Sequence, residues 1–121
     1  MFVEALREVV ENTEGAIAGL LMDAEGIPLE SYVKEGFTAP FDIEIVGAEY
    51  SVIVKSVQRT VDSLEAGTTR EVSVQAERVT TLIRVLTDEY FLALALDPTG
   101  NIGKGRYMLR VSAPKLLAEL S

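Results

Sequence analysis

The chain has 121 residues, with 11 Lys and Arg against 19 Asp and Glu, a net charge of -8, and no Cys, His or Trp. A length of this order suits one domain that buries roughly 65% of the surface its unfolded chain exposes. The missing residue types exclude disulfides, thiolate nucleophiles, Ser-His-Asp catalysis, zinc fingers and haem ligation by His. The negative charge opposes general nucleic-acid binding, which draws on Lys and Arg displacing counterions from phosphates.

Apolar residues make up 48% of the chain, yet the longest apolar run is Phe91 to Leu96 with Tyr90 before it. That is far short of the ~20 residues a membrane-spanning helix needs, so no membrane insertion is expected. The start, Met1-Phe2-Val3-Glu4, puts an acid where a signal peptide carries cations. A cytosolic location is the expectation, in keeping with the absent cysteines.

Phe2 to Asn12 places Phe2, Leu6, Val9 and Val10 at helical spacing, with charges between them. Ala16 to Met22 and Ile27 to Lys34 then read as a hairpin around Asp23-Ala24-Glu25-Gly26. Glu35 to Asp42, with Gly36 and Pro40, reads as a loop. A long helix follows from Ile43 to Ala66, with Asp42 as N-cap and Gly67 as the residue that closes it.

On that helix Ile43, Val46, Tyr50, Ile53, Val54, Val57, Val61 and Leu64 fall within roughly 120° of one another, the stripe expected to face a sheet. Ile45, Ala48 and Val52 fall on nearly the opposite side, where a helix covering only its own core carries charge. Those three therefore call for a partner or a second layer.

Arg70 to Gln75 alternates polar residues with Val72 and Val74, the period of a strand with one buried face. Val79 to Leu86 and Tyr90 to Leu96 read as central strands joined at Asp88-Glu89. After the turn Asp97-Pro98-Thr99-Gly100, Gly103 to Leu120 reads as a closing helix. Pro114 removes a donor and crowds the Arg110 carbonyl, which predicts a kink or a fresh start capped by Ser112. The expected fold is a single α/β (α+β) sandwich domain over residues 1–121. Its order is α-β-β-α-β-β-β-α, with helices on both faces of a five-stranded antiparallel sheet.

Gly100-Asn101-Ile102-Gly103-Lys104-Gly105 fails as a phosphate loop, because two residues rather than four separate the first glycines and Gly105 follows the Lys. Asp97 to Gly100 matches a loose D-x-x-G pattern, but without a phosphate loop it reads as a turn. Asp23 with Glu25, and Asp88 with Glu89, sit in predicted turns where acids are ordinary. No catalytic, cofactor-binding or metal-ligating residue is predicted. Residues 100–121 hold Lys104, Arg106, Arg110 and Lys115 against Glu119, a net +3, while the other 99 residues carry 7 cations against 18 acids, a net −11. Either a solvated helix face or a docking surface for an acidic partner produces this segregation.

The hairpin Ala18 to Leu29, the long helix, and the ending Leu94-Ala95-Leu96-Asp97-Pro98-Thr99-Gly100-Asn101-Ile102-Gly103 together resemble the roadblock family of dynein-light-chain-like proteins. The resemblance covers essentially the whole chain. It is strongest to small bacterial members of MglB type that serve Ras-like GTPases in motility and cell polarity, on a profilin- and longin-like fold. It implies a homodimer in which the third strand pairs with its symmetry mate and the long helices form a platform. On that basis Ile45, Ala48, Val52, Arg59, Arg70, Val72, Ser73 and Val74 are the candidate dimer or partner interface. The implied partners are a second copy, a Ras-like GTPase or another roadblock protein.

Two departures stand against direct GTPase activation: Pro114 interrupts the final helix, and the chain stops soon after it, without the C-terminal segment some activators carry. An arginine supplied in trans, Arg59 or Arg78, is weighed and disfavoured, since the resemblance implies an activator that reshapes its GTPase so that the GTPase's own residues complete the site. The alternative function is a longin- or profilin-like sensor holding a small ligand between helix and sheet.

Overall fold

The computed structural model describes residues 2–37 and 41–120. Part of the predicted loop from Glu35 to Asp42, residues 38–40, lies outside them. The elements run α1 (Phe2–Glu11), β1 (Ala16–Asp23), β2 (Pro28–Val33), α2 (Ile43–Ser63), β3 (Glu71–Gln75), β4 (Thr80–Val85), β5 (Tyr90–Leu96) and α3 (Ile102–Leu120). The expected order holds.

All five strands join one antiparallel sheet in the order β2-β1-β5-β4-β3. Its central strand β5 and the neighbouring β1 are buried along nearly their whole length. Helices cover both faces, which is why these strands lack the polar alternation of a half-exposed sheet. On one face α1 and α3 pack Leu6, Val9, Val10, Met108, Leu109 and Leu116 against Leu21, Leu82, Leu92, Leu94 and Leu96. On the other, α2 brings Val54, with Ile43 and Tyr50, against Leu20, Met22, Ile83, Phe91 and Ala93.

Two helical glycines set how closely the layers approach. A Cβ at Gly47 would run into the Leu20 Cδ2 and stand 2.9 Å from the Met22 Cε; one at Gly105 would stand 3.1 Å from the Leu82 Cδ1 and 3.2 Å from the Leu94 Cδ2. The hairpin turn is held by Asp23, whose Oδ1 accepts from the N–H groups of Glu25 (2.9 Å) and Ile27 (3.0 Å), with Gly26 at φ +88°.

Three local expectations are corrected. First, α2 ends at Ser63 with Leu64 as C-cap, earlier than Ala66; Glu65 takes φ +53° before Gly67 at +89°. Second, α3 continues through Pro114 with no fresh helical start. Ser112 is no cap but a buried residue inside it, and burial of Leu109, Ala113 and Leu116 pins the turns on either side of the exposed proline. Third, Ile53 and Leu64 do not face the sheet: both are exposed. Leu64 lies beyond the helix, and Ile53 sits at the rim of a stripe narrower than the periodicity implied.

Candidate interaction surfaces

Asp42 caps α2, its Oδ1 accepting from the N–H of Glu44 (3.0 Å) and Ile45 (3.3 Å), and this fixes the helix phase. With Gly47 and Val54 turned to the sheet, the outer side carries Ile45 at 63% exposure and Val52 at 67%, seven residues apart and therefore in line. Ile53 stands beside them at 45%. Arg59 continues the line one heptad on and is exposed. Ala48 departs from it: the hairpin turn lies over it, a Cβ on Gly26 falling 3.5 Å from the Ala48 Cβ and 3.2 Å from the Ser51 Oγ. Ala48 is thus half-buried under its own chain.

β3 is an edge strand, bonded only to β4 among the described strands. Val72 lies opposite Ile83, on the α2 side of the sheet, and Val74 shares that side; both are half-buried. Ser73 lies opposite Leu82, on the other side, and is exposed, as is Arg70. α2 comes closest to β1 and β2, and from β3 Val72 packs against the cluster around its Val54. The eight residues assigned to one interface therefore form two neighbouring surfaces, an α2 face and a strand edge.

Between those surfaces an open groove is lined by Val57, Val61, Thr69, Arg70 and Glu71. Within the chain leading to β3, the Thr69 Oγ1 is buried without a hydrogen-bond partner. Nothing in the sequence singled out Thr69, because its burial depends on where the end of α2 lies.

Two short polar contacts fix the ends of the scaffold. The Tyr32 hydroxyl donates to the Glu11 Oε2 at 2.7 Å, tying β2 to α1, and this bond to a carboxylate raises the phenol's pKa above its usual value. The Asp97 Oδ1 accepts from the Thr99 hydroxyl (2.6 Å) and N–H (2.9 Å), and both bonds lower its pKa. Asp97 therefore serves the turn before α3, and its neighbour Asn101 caps that helix by accepting from the Lys104 N–H at 2.9 Å. The glycine-rich segment is a packing and capping device.

Among the described residues, no group of three His, Cys, Asp or Glu is placed to hold a metal ion, and no helix is long and apolar enough to cross a membrane. Between α2 and the sheet, at Leu20, Ile43, Gly47, Tyr50 and Ala93, only about 10 Å³ is free. That is room for about one water, far below the ~300 Å³ of a small-molecule site. The sensor alternative thus has no preformed cavity at this position.

Known structures resolve the family. MglC from Myxococcus xanthus is 41% identical, with 98% of each chain covered and a TM-score of 0.70. The chain belongs to the roadblock/MglB-type family. An MglB with a tetrameric arrangement matches at 24% identity over 94% of this chain and 83% of that one, with a TM-score of 0.85. A Roadblock/LC7 domain from Streptomyces avermitilis matches at 12% over 97% and 95%, also at 0.85. At those lower identities the likeness is one of fold, and the five-stranded roadblock sandwich is common to all three. No family profile matches the sequence, and no curated protein sequence does.

Proposed function

We propose that this roadblock protein acts in the cytosol as a single-domain homodimer. In this reading it binds a Ras-like small GTPase, or a second roadblock protein, within a motility or cell-polarity module. It adjusts nucleotide turnover or the placement of the GTPase by surface contact, without a catalytic centre of its own. The observation that carries this reading is the apolar face Ile45, Val52 and Ile53, open to solvent beside the unpaired edge of β3. A free strand edge can extend a second sheet, and an apolar helix face gains by losing water. The tetrameric arrangement of an MglB supports self-association on this fold. Arg59 and Arg78 are both exposed, but the proposal needs neither as an arginine finger, since a partner can act by reshaping the GTPase around its own residues.

Two measurements test it together. Sedimentation across a dilution series reads self-association, and GTP hydrolysis by a Ras-like partner, with and without this chain, reads regulation. Acceleration supports an activator. Binding without acceleration supports an adaptor. A monomer that binds neither a GTPase nor another roadblock protein refutes the reading.

A further inference from the structure

Helix α3 turns a basic and aromatic face away from the sheet. Tyr107 is 48% exposed, and the Lys104 Nζ and Arg110 Cζ each lie 5.7 Å from its ring centroid. One turn further on, Val111 and Pro114 are exposed as well. The other two cations of the helix are committed elsewhere. The Arg106 Nε lies 3.1 Å from both carboxylate oxygens of Glu71, and the Lys115 Nζ lies 3.6 Å from the Glu8 Oε2. Among the described residues no carboxylate pairs with Lys104 or Arg110. In a chain with 19 acids, the two cations flanking the exposed ring are left for something else.

We propose that Lys104, Tyr107, Arg110 and Val111 form a docking site for a short acidic segment of a partner protein, one that carries an aromatic or aliphatic side chain among its carboxylates. The chemistry selects the occupant. Lys104 and Arg110 are six residues apart, about 9 Å along the axis, so they engage carboxylates at two points, Arg110 by a two-pronged bond. The Tyr107 ring and Val111 between and beside them cover an apolar side chain. Two free cations are too few for an anionic membrane, where clusters of about 4–8 act. The overall charge of -8 disfavours nucleic acid. The site lies on the opposite side of the sheet from α2, so it is separate from the apolar face of that helix.

The test is a titration of the full chain, followed through its backbone amide NMR signals, with a short peptide of Glu residues around a central Phe. A peptide with Gly for that Phe, and phosphatidylserine vesicles, serve as comparison probes. Shifts that saturate and cluster between Ile102 and Pro114 are expected, weakening with salt, with the Gly peptide binding more weakly. Lys104→Glu with Arg110→Glu should weaken binding about tenfold or more, whereas Arg7→Glu on α1, a charge change of the same size as one of these, should leave it within about twofold. The amide spectrum itself reports whether each variant is folded, and Lys104→Gln with Arg110→Gln replaces the double reversal if that does not fold. No shift at millimolar peptide, shifts centred elsewhere, equal loss in Arg7→Glu, or binding to vesicles but not to peptide each overturns the assignment.

Discussion

Gly100 joins two loops that carry the start of β1 and the start of α3. The Asp97 N–H donates to the Gly15 carbonyl (2.8 Å), the Gly100 N–H to the Asp97 carbonyl (2.8 Å), and the Asn101 N–H to the Glu14 carbonyl (2.9 Å). A Cβ at position 100 would stand 2.8 Å from the Glu14 carbonyl oxygen, 3.0 Å from that of Asp97 and 3.1 Å from the Gly15 Cα. Favourable separations for such atoms are about 3.5–4.0 Å, and every neighbour here is backbone that cannot rotate aside. Gly100→Ala must therefore part the two loops by a few tenths of an ångström. Overpacking costs about 1–3 kcal/mol, and a hydrogen bond stretched in consequence adds about 0.5–1.5 kcal/mol.

The expected loss is about 2–4 kcal/mol, which in a chain of this size lowers Tm by roughly 8–16 °C. Thermal melts followed by circular dichroism, at one protein concentration because association shifts Tm, measure it. Gly103→Ala is the internal comparison. Its Cβ meets only the Asn101 Oδ1, at 3.6 Å, inside the first turn of α3, so the gain in helix propensity leaves stability equal or raised by up to about 1 kcal/mol. If Gly100→Ala melts within about 2 °C of the parent, or if the two variants fall together, the close approach of the loops does not matter as argued.

Val52→Glu should leave the melting of the single chain within about 0.5 kcal/mol, since the side chain is already in solvent. The same substitution should weaken self-association about tenfold or more by placing an unpaired charge in an apolar contact; an unchanged sedimentation profile would show that this face is free. Gly47→Ala forces α2 away from Leu20 and Met22, an overpacking cost of about 1–3 kcal/mol offset by about 1 kcal/mol of helix propensity. A urea midpoint lower than the parent's is expected, and a higher one would show that α2 yields freely. For Asp97, the bonds from Thr99 favour the charged form. Its stabilising effect is complete above the ordinary carboxylate pKa of 3.8 and is lost as pH falls through the lowered folded value. Asp97→Asn should therefore be less stable than the parent at neutral pH, with the gap closing below about pH 3.8. A gap that stays constant in urea titrations at both pH values refutes this origin.

The order of elements was legible because each carries its own local signature: the alternation of β3, the Asp42 cap, and the doubly apolar run of β5. What failed was everything set by distance between elements. The periodicity gave α2 a wide inner stripe, but close packing at Gly47 seats the helix on β1 and tips Ile53 out into solvent. Ala48 lies on the side the sequence pointed to, yet the hairpin turn at Gly26 reaches it, a contact between residues 22 positions apart that no local pattern records. Pro114 misled for a related reason. Its intrinsic cost is local, but the packing that keeps the helix whole comes from the sheet and from α1. The four cations of α3 looked equivalent in sequence; only folding brings Glu71 and Glu8 beside two of them and leaves the pair around Tyr107 unclaimed.

The placement of the two proposed surfaces then has a consequence for assembly. The α2 face lies on one side of the sheet and α3 on the other, so contacts made through α2 leave Tyr107 uncovered. A dimer would present two such faces at a fixed separation. A partner carrying two acidic segments on a flexible chain would make its second contact intramolecularly, at an effective concentration of about millimolar if its linker spans the gap. Weak individual docking would then suffice, and the dimer would bind such a partner more tightly than the single chain by about 10²-fold or more with no new contact. Val52→Glu separates the effects: it should leave the affinity for one short acidic peptide unchanged and abolish the gain for a tandem peptide. Loss of the single-peptide affinity in that variant would show that the two surfaces are coupled through the sheet, and that the independence argued from their opposite faces is wrong.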